Sequence, residues 1–72
     1  QQKILSEFEC FQLLLEANDL RLNLAVLYLI KIQNDPKYIP LVEKCILKED
    51  EKLKAFASET LLSLQSTVNL SE

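Results

Sequence analysis

Leu20-Arg21-Leu22-Asn23-Leu24-Ala25-Val26-Leu27-Tyr28-Leu29-Ile30-Lys31-Ile32 is the stretch on which the fold turns. Ten of its thirteen residues are apolar, the exceptions being Arg21, Asn23 and Lys31. Its opening, Leu20 to Leu24, alternates as a strand does, and the run from Ala25 to Ile30 has the composition of a buried strand. A lone strand leaves its amides and carbonyls without partners, and no other segment alternates to pair with it. The stretch therefore reads as a helix over 19–33, apolar nearly all round and covered on more than one side.

Outward from it, both flanks carry the punctuation of helices. On the N-terminal side, Asn18 and Asp19 suit a tight connection followed by an N-cap, since their side chains accept bonds from free helix amides. Before them, Ile4, Phe8, Phe11 and Leu15 recur at spacings of four, three and four, with Leu5 and Leu14 widening the face, which predicts a helix over 3–17. On the C-terminal side, Asn34-Asp35-Pro36 ends the central helix and begins the next. Asp35 is a natural N-cap, and Pro36 fits the first helical position, where its missing amide removes no bond. The third helix is expected over 36–48, irregular at its start because of Pro40, with Ile39, Val42 and Ile46 buried beside Tyr38, Leu41 and Cys45. Glu49-Asp50-Glu51 is an acidic turn of the kind that favours a helix N-terminus. A fourth helix follows over 51–65, striped by Leu53, Ala57, Leu61 and Leu64 and flanked by Phe56 and Thr60. Residues 1–66 then form a single four-helix domain, and 67–72 a polar tail.

Composition agrees with an all-α class. The chain has 72 residues, enough for one domain that buries about 60% of the surface its unfolded form exposes. Hydrophobic residues make up 49%, glycine is absent and prolines number two, so the chain resembles neither a disordered segment nor a hairpin-rich β protein. The net charge of −3 is mixed rather than blocked, and no dense lysine or arginine patch supplies the driving force for nucleic acid. No uninterrupted apolar span of about 18 residues is present, so membrane spanning is not expected. Cys10 and Cys45, the two cysteines, read as reduced thiols acting as small hydrophobes, which is the usage of a cytoplasmic protein. The opening Gln1-Gln2 and the lack of methionine are what a piece of a longer protein would show.

The two halves of the chain are similar to each other. A shift of 32 residues lays Leu14 on Ile46, Leu15 on Leu47, Asn18 on Asp50, Ala25 on Ala57, Leu29 on Leu61 and Ile32 on Leu64. Helix–turn–helix units recurring at this length point to stacked hairpins, although a general four-helix bundle satisfies the same periodicities. Asp35-Pro36-Lys37-Tyr38-Ile39-Pro40-Leu41-Val42 resembles the linker and first-helix opening of HEAT-like repeats. There an aspartate–proline pair precedes an isoleucine–proline–leucine stretch. Leu53-Lys54, followed by Ala57 and Leu61, is similar to that family's second helix, which often carries an aliphatic–arginine pair before small residues. These motifs cover residues 35–64. The first half fits through Arg21 after Leu20 and through periodicity, but no proline opens its first helix. A tetratricopeptide reading fits less well, lacking the tryptophan and the glycine–tyrosine signature of that family. The resemblance implies two stacked antiparallel helical hairpins that hold other proteins, and it brings no catalytic residues.

Little in the chain can do chemistry. Without histidine or glycine there is no Ser–His or Cys–His pair, no phosphate loop and no nucleophile elbow. Two isolated cysteines cannot make a zinc site, which needs four ligands. Glu49, Asp50 and Glu51 cluster carboxylates but lack EF-hand spacing and sit among lysines 48, 52 and 54, so they read as helix-capping residues. The expectation is a non-enzymatic protein-interaction or scaffold module with no cofactor and no metal.

Its candidate partner-binding residues come from the central helix. At about 100° per residue, Leu22, Ala25, Val26, Leu29 and Ile32 share one face, while Leu20, Leu24, Leu27 and Lys31 share the opposite one. With the first set against the core, the second is apolar surface facing outward. Three occupants of that surface stay open: neighbouring repeats, a second copy in a homodimer, or a partner's helix or peptide. A further alternative is an accessory repeat domain of an enzyme, such as a bilin-lyase-like protein, that positions a substrate protein.

Overall fold

Four polar side chains set where the helices begin. A computed structural model describes the backbone over residues 4–70 and side chains over 4–66, and among them every regular element is helical. The elements are α1 (Glu7–Glu16), α2 (Leu20–Gln33), a short 3-10 turn (Pro36–Tyr38), α3 (Ile39–Ile46) and α4 (Glu51–Leu70). Ser6 caps α1: the Glu9 amide donates to Ser6 Oγ at 3.1 Å, and the Ser6 amide donates to Glu9 Oε1 at 3.0 Å. Asp19 Oδ1 accepts from the amides of Arg21 at 3.0 Å and Leu22 at 3.3 Å. Asp35 Oδ1 accepts from the Lys37 amide, and Asp50 Oδ1 from the Leu53 amide, each at 3.0 Å. Each carboxylate or hydroxyl thus satisfies amides that have no partner within their own helix.

Three expected boundaries move, each for a local reason. The first helix starts at Glu7 rather than at residue 3, because Ser6 and Glu9 form a reciprocal capping box that fixes the start. Ile4 accordingly lies before the helix and is 90% exposed. The third helix divides into the 3-10 turn and α3. Pro40 has no N–H to return to the Pro36 carbonyl, so the chain tightens to bonds from Tyr38 to Asp35 and from Ile39 to Pro36. The fourth helix runs on to Leu70, where a polar tail was expected from residue 67, since neither glycine nor proline follows Gln65 to stop it.

The helices form two hairpins, α1–α2 and α3–α4, and the hairpins lie side by side in parallel. Near their starts, α1 and the second hairpin are joined by the Tyr38 hydroxyl, which donates to Glu7 Oε1 at 2.5 Å; near their ends, Lys48 reaches the Leu15 carbonyl. Likewise Lys31 of α2 meets Glu59 of α4, and Asn34 meets Ser63 about one turn further along both. α1 therefore packs beside α3 and α2 beside α4, while the diagonals α1–α4 and α2–α3 hardly meet. An up-and-down bundle would put α1 against α4 and α2 against α3, so the arrangement is one hairpin displaced onto another.

The core lies between the two hairpins. α1 contributes Phe11 and Leu15, and α2 contributes Val26, Leu27 and Ile30. The 3-10 turn and α3 add Tyr38, Leu41, Val42 and Cys45, and α4 adds Leu53, Ala57 and Leu64. The expected stripe of α4 is thus interior, except that Thr60 sits at its centre and Leu61 at its edge. Thr60 is fully buried, its hydroxyl satisfied by the Phe56 carbonyl at 2.9 Å. Tyr38 is also fully buried, its ring 5.9 Å from Phe8 and 5.3 Å from Phe11.

The rotation of α2 is the main correction. Leu27 and Ile30 are fully buried, whereas Leu22, Leu29 and Ile32 are 41%, 46% and 61% exposed. Ala25 is exposed as well. Of the face expected to meet the core, only Val26 does so, and Leu27 of the face expected to look outward lies in the interior. The reason is Asn23, which is 2% exposed. Its Nδ2 donates to the carbonyls of Leu14 at 2.9 Å, Ala17 at 3.2 Å and Leu15 at 3.5 Å. Lys48 Nζ joins it, donating to Leu15 O at 2.5 Å, Asn23 Oδ1 at 3.1 Å and Ala17 O at 3.4 Å. α1 ends in extended backbone at Ala17, so its last carbonyls have no glycine-type cap, and these two side chains satisfy them. Asn34 supplies the left-handed position at the end of α2, where glycine would otherwise be expected.

Candidate interaction surfaces

Two exposed surfaces follow from this packing. The first is the outer side of the α1–α2 hairpin. Phe8 and Phe11 of α1 turn to Tyr38, and Leu13 points roughly 140° or more away from both by helical phase. On α2, Leu24 and Lys31 turn to α4, and Leu22 and Leu29 point away from it by a similar angle. Leu13, Leu22 and Leu29, with Leu14 at their edge, therefore face away from the second hairpin. They are 55%, 41%, 46% and 37% exposed respectively.

The second surface is a groove between α2 and α4, lined by Leu24, Ala25, Tyr28, Lys52 and Phe56. Leu24 and Phe56 are half-buried and form its floor, with the exposed Ala25 beside them; Tyr28 stands 58% exposed on the α2 wall. Lys31 lies further along. Its Nζ is 5.5 Å from the centre of the Phe56 ring and 2.7 Å from Glu59 Oε1.

The residues singled out in the sequence divide between interior and groove. Leu24 and Lys31 come together against Phe56. Leu27 is fully buried and offers a partner no surface. Leu20 lies apart, beside the α1–α2 turn, in a depression it shares with Lys48 and Asp50. Tyr28, Lys52 and Phe56 were not in the expected set. Phe56 and Lys52 lie 28 or more residues beyond Leu24, and only the parallel stacking of the hairpins brings them alongside.

The carboxylates and thiols have structural surroundings. Asp50 caps α4, and no group of three or more His, Cys, Asp or Glu side chains among the described residues could hold a metal ion. Cys45 is buried, and burial pushes its thiol up, with the nearby Lys48 acting in the opposite direction. Cys10 is half-buried on α1, and both thiols are free. Burial, reinforced by the hydrogen bond to Glu7, pushes the Tyr38 hydroxyl up to about 12. Glu7 Oε2 also accepts from Gln33 Nε2 at 3.2 Å, tying the start of α1 to the end of α2. No helix among the described residues is long and apolar enough to cross a membrane. Set against known protein families, curated proteins and solved structures, the chain matches none.

Proposed function

We propose that this chain is a non-catalytic protein-interaction or scaffold module of the HEAT-like kind, its two hairpins being successive repeats. The observation that carries the reading is the outer side of the first hairpin. Leu13, Leu14, Leu22 and Leu29 leave apolar area in water on the side where a stacked array would continue. The parallel side-by-side hairpins support it, because displacement of one unit onto the next is how such arrays bury a continuous core. The lack of histidine and glycine supports the non-catalytic part. Association through this surface is driven by leucine burial at roughly 25 cal/mol per Å² of apolar area.

The test is light scattering across a hundredfold dilution, on the chain and on the double variant L13E/L29E, with circular dichroism on the same samples. The expected result is a mass above the monomer at the concentrated end, returned to the monomer by the variant with helicity unchanged. A concentration-dependent mass that survives both glutamates would overturn the assignment of this surface. Loss of helicity in the variant would do the same, since these leucines would then be interior. A discrete dimer would make the chain's first partner a second copy of itself.

A further inference from the structure

We propose that the α2–α4 groove receives an acidic amphipathic helix of a partner protein, with apolar side chains over Leu24 and Phe56 and carboxylates against Arg21 and Lys52. The proposal rests on the interaction-module reading and gives the partner its chemistry. It concerns a different surface from the outer leucines of the first hairpin.

The chain as a whole carries −3, yet α2 from Arg21 to Gln33 contains no acidic residue, and α4 from Lys52 to Ser66 contains only Glu59. Glu59 is already paired with Lys31. Lys52 lines the groove, and Arg21 lies one helical turn before Leu24 and Ala25 on the same helix. Neither enters an ion pair among the described residues. Of the carboxylates toward the groove's head, Asp19 and Asp50 are hydrogen-bonded to helix amides, and the exposed Glu49 and Glu51 lie just before Lys52. The two exposed cations beside the apolar lining are complementary to carboxylates that flank a partner's apolar face, and the same groove on two copies of this chain would repel itself.

The floor distinguishes among acidic partners. Nucleic acid and anionic lipid are held by dense arrays of cations, and two uncompensated cations around an apolar floor do not make one. Leu24, Ala25 and Phe56 instead call for apolar side chains, and Tyr28 and Arg21 are of the residue types that dominate protein interfaces. Both walls are helices whose backbone groups are already bonded, so an extended segment would find no edge to pair with. A helix satisfies its own backbone and presents anchors at three- and four-residue spacing along the groove.

The experiment is selection from a displayed library of helices about 18 residues long, with leucines fixed on one face and flanking positions randomised among acidic, amide and basic residues. The targets are this chain and its variant R21E/K52E. Both changes are on exposed side chains, so circular dichroism of the variant should be unchanged. The expected outcome is enrichment of acid-flanked helices that bind the variant about tenfold more weakly, with binding restored when the flanks are made basic. Neutral or basic flanks in the selected helices, or acid-flanked helices indifferent to R21E/K52E, would overturn the groove while leaving an interaction module in place. A library that yields no helix for either target would overturn the groove, and the interaction-module reading would stand or fall by the light scattering of L13E/L29E. Binding of a fluorescent single-stranded oligonucleotide or of phosphatidylserine vesicles, lost in R21E/K52E, would reassign these cations to phosphate and also sink the proposal.

Discussion

The first hairpin and the second are drawn from similar residues, yet they finish with different surfaces. Among the described residues, the first leaves seven large apolar side chains exposed, Leu13, Leu14, Leu20, Leu22, Tyr28, Leu29 and Ile32, and Ile4 and Leu5 just before it are exposed as well. The second leaves two, Leu47 and Leu62. The difference lies in how each helix spends its apolar residues. α3 and α4 concentrate theirs on single stripes, Leu41-Val42-Cys45 and Leu53-Ala57-Leu64, that are nearly all interior. α2 is apolar around most of its circumference, so that whichever side meets the core, apolar side chains remain on the other. α4 supplies the largest contacts of the fold, packing on both α3 and α2, and the second hairpin is a completed unit in a way the first is not. An asymmetry of this kind is what the proposed stacking against the first hairpin would require.

The largest expected effect comes from a matched pair of truncations across this divide. Leu53→Ala, in the filled interior of the second hairpin, should cost about 2–5 kcal/mol, and Leu29→Ala, on the exposed side of the first, under about 1 kcal/mol. Urea unfolding of both variants measures it. Equal losses would mean that the outer side of the first hairpin is interior in solution, and the contrast between the hairpins would fail.

A smaller effect should come from the polar clasp that orients the first hairpin against the second. Asn23→Leu keeps the volume but leaves the Leu14, Leu15 and Ala17 carbonyls to Lys48 and water, and should cost about 1–3 kcal/mol. Hydrogen exchange would sharpen the result, since the last turn of α1 should lose protection while α4 keeps its own. A neutral or stabilising Asn23→Leu would show that the buried amide does not hold α2 in its rotation.

The smallest effect is a dependence on pH at the other end of the clasped pair. The Tyr38 hydroxyl is pushed up to about 12 from its ordinary 10.0, so the folded state holds this proton more tightly than the unfolded state. Its contribution is fully present below pH 10 and is lost as pH rises from there to about 12. The difference in urea midpoint between the chain and Tyr38→Phe should therefore be constant up to pH 10 and shrink above it. A difference that does not change with pH would mean that Tyr38 is not held neutral against Glu7.

How far the sequence reveals this molecule can be judged helix by helix. The starts at Asp19, Asp35 and Asp50 were legible because a cap is a local event, settled by a side chain and amides two or three residues away. The Ser6–Glu9 box was equally local and was open to the same reading, so residue 3 was a start that the spacing Ser6-x-x-Glu9 argues against. The core stripe of α4 was legible because its polar and apolar residues are well separated around the helix. The groove was half legible: Leu24 and Lys31 belong to it, but Lys52 and Phe56 enter only through the stacking of one hairpin on the other.

By itself, then, the sequence determined that the fold is all-α, where α2, the 3-10 turn and α4 begin, and which side of α4 is buried. The tertiary structure alone decided which side of α2 faces inward. With ten of thirteen residues apolar from Leu20 to Ile32, two opposite rotations bury similar apolar area, and periodicity cannot separate them. The choice falls to a polar residue. The carbonyls at the end of α1 and the ammonium of Lys48 stand ready to satisfy Asn23, so the side of α2 that carries it turns inward, taking Leu27 and Ile30 with it and leaving Leu22 and Leu29 in water.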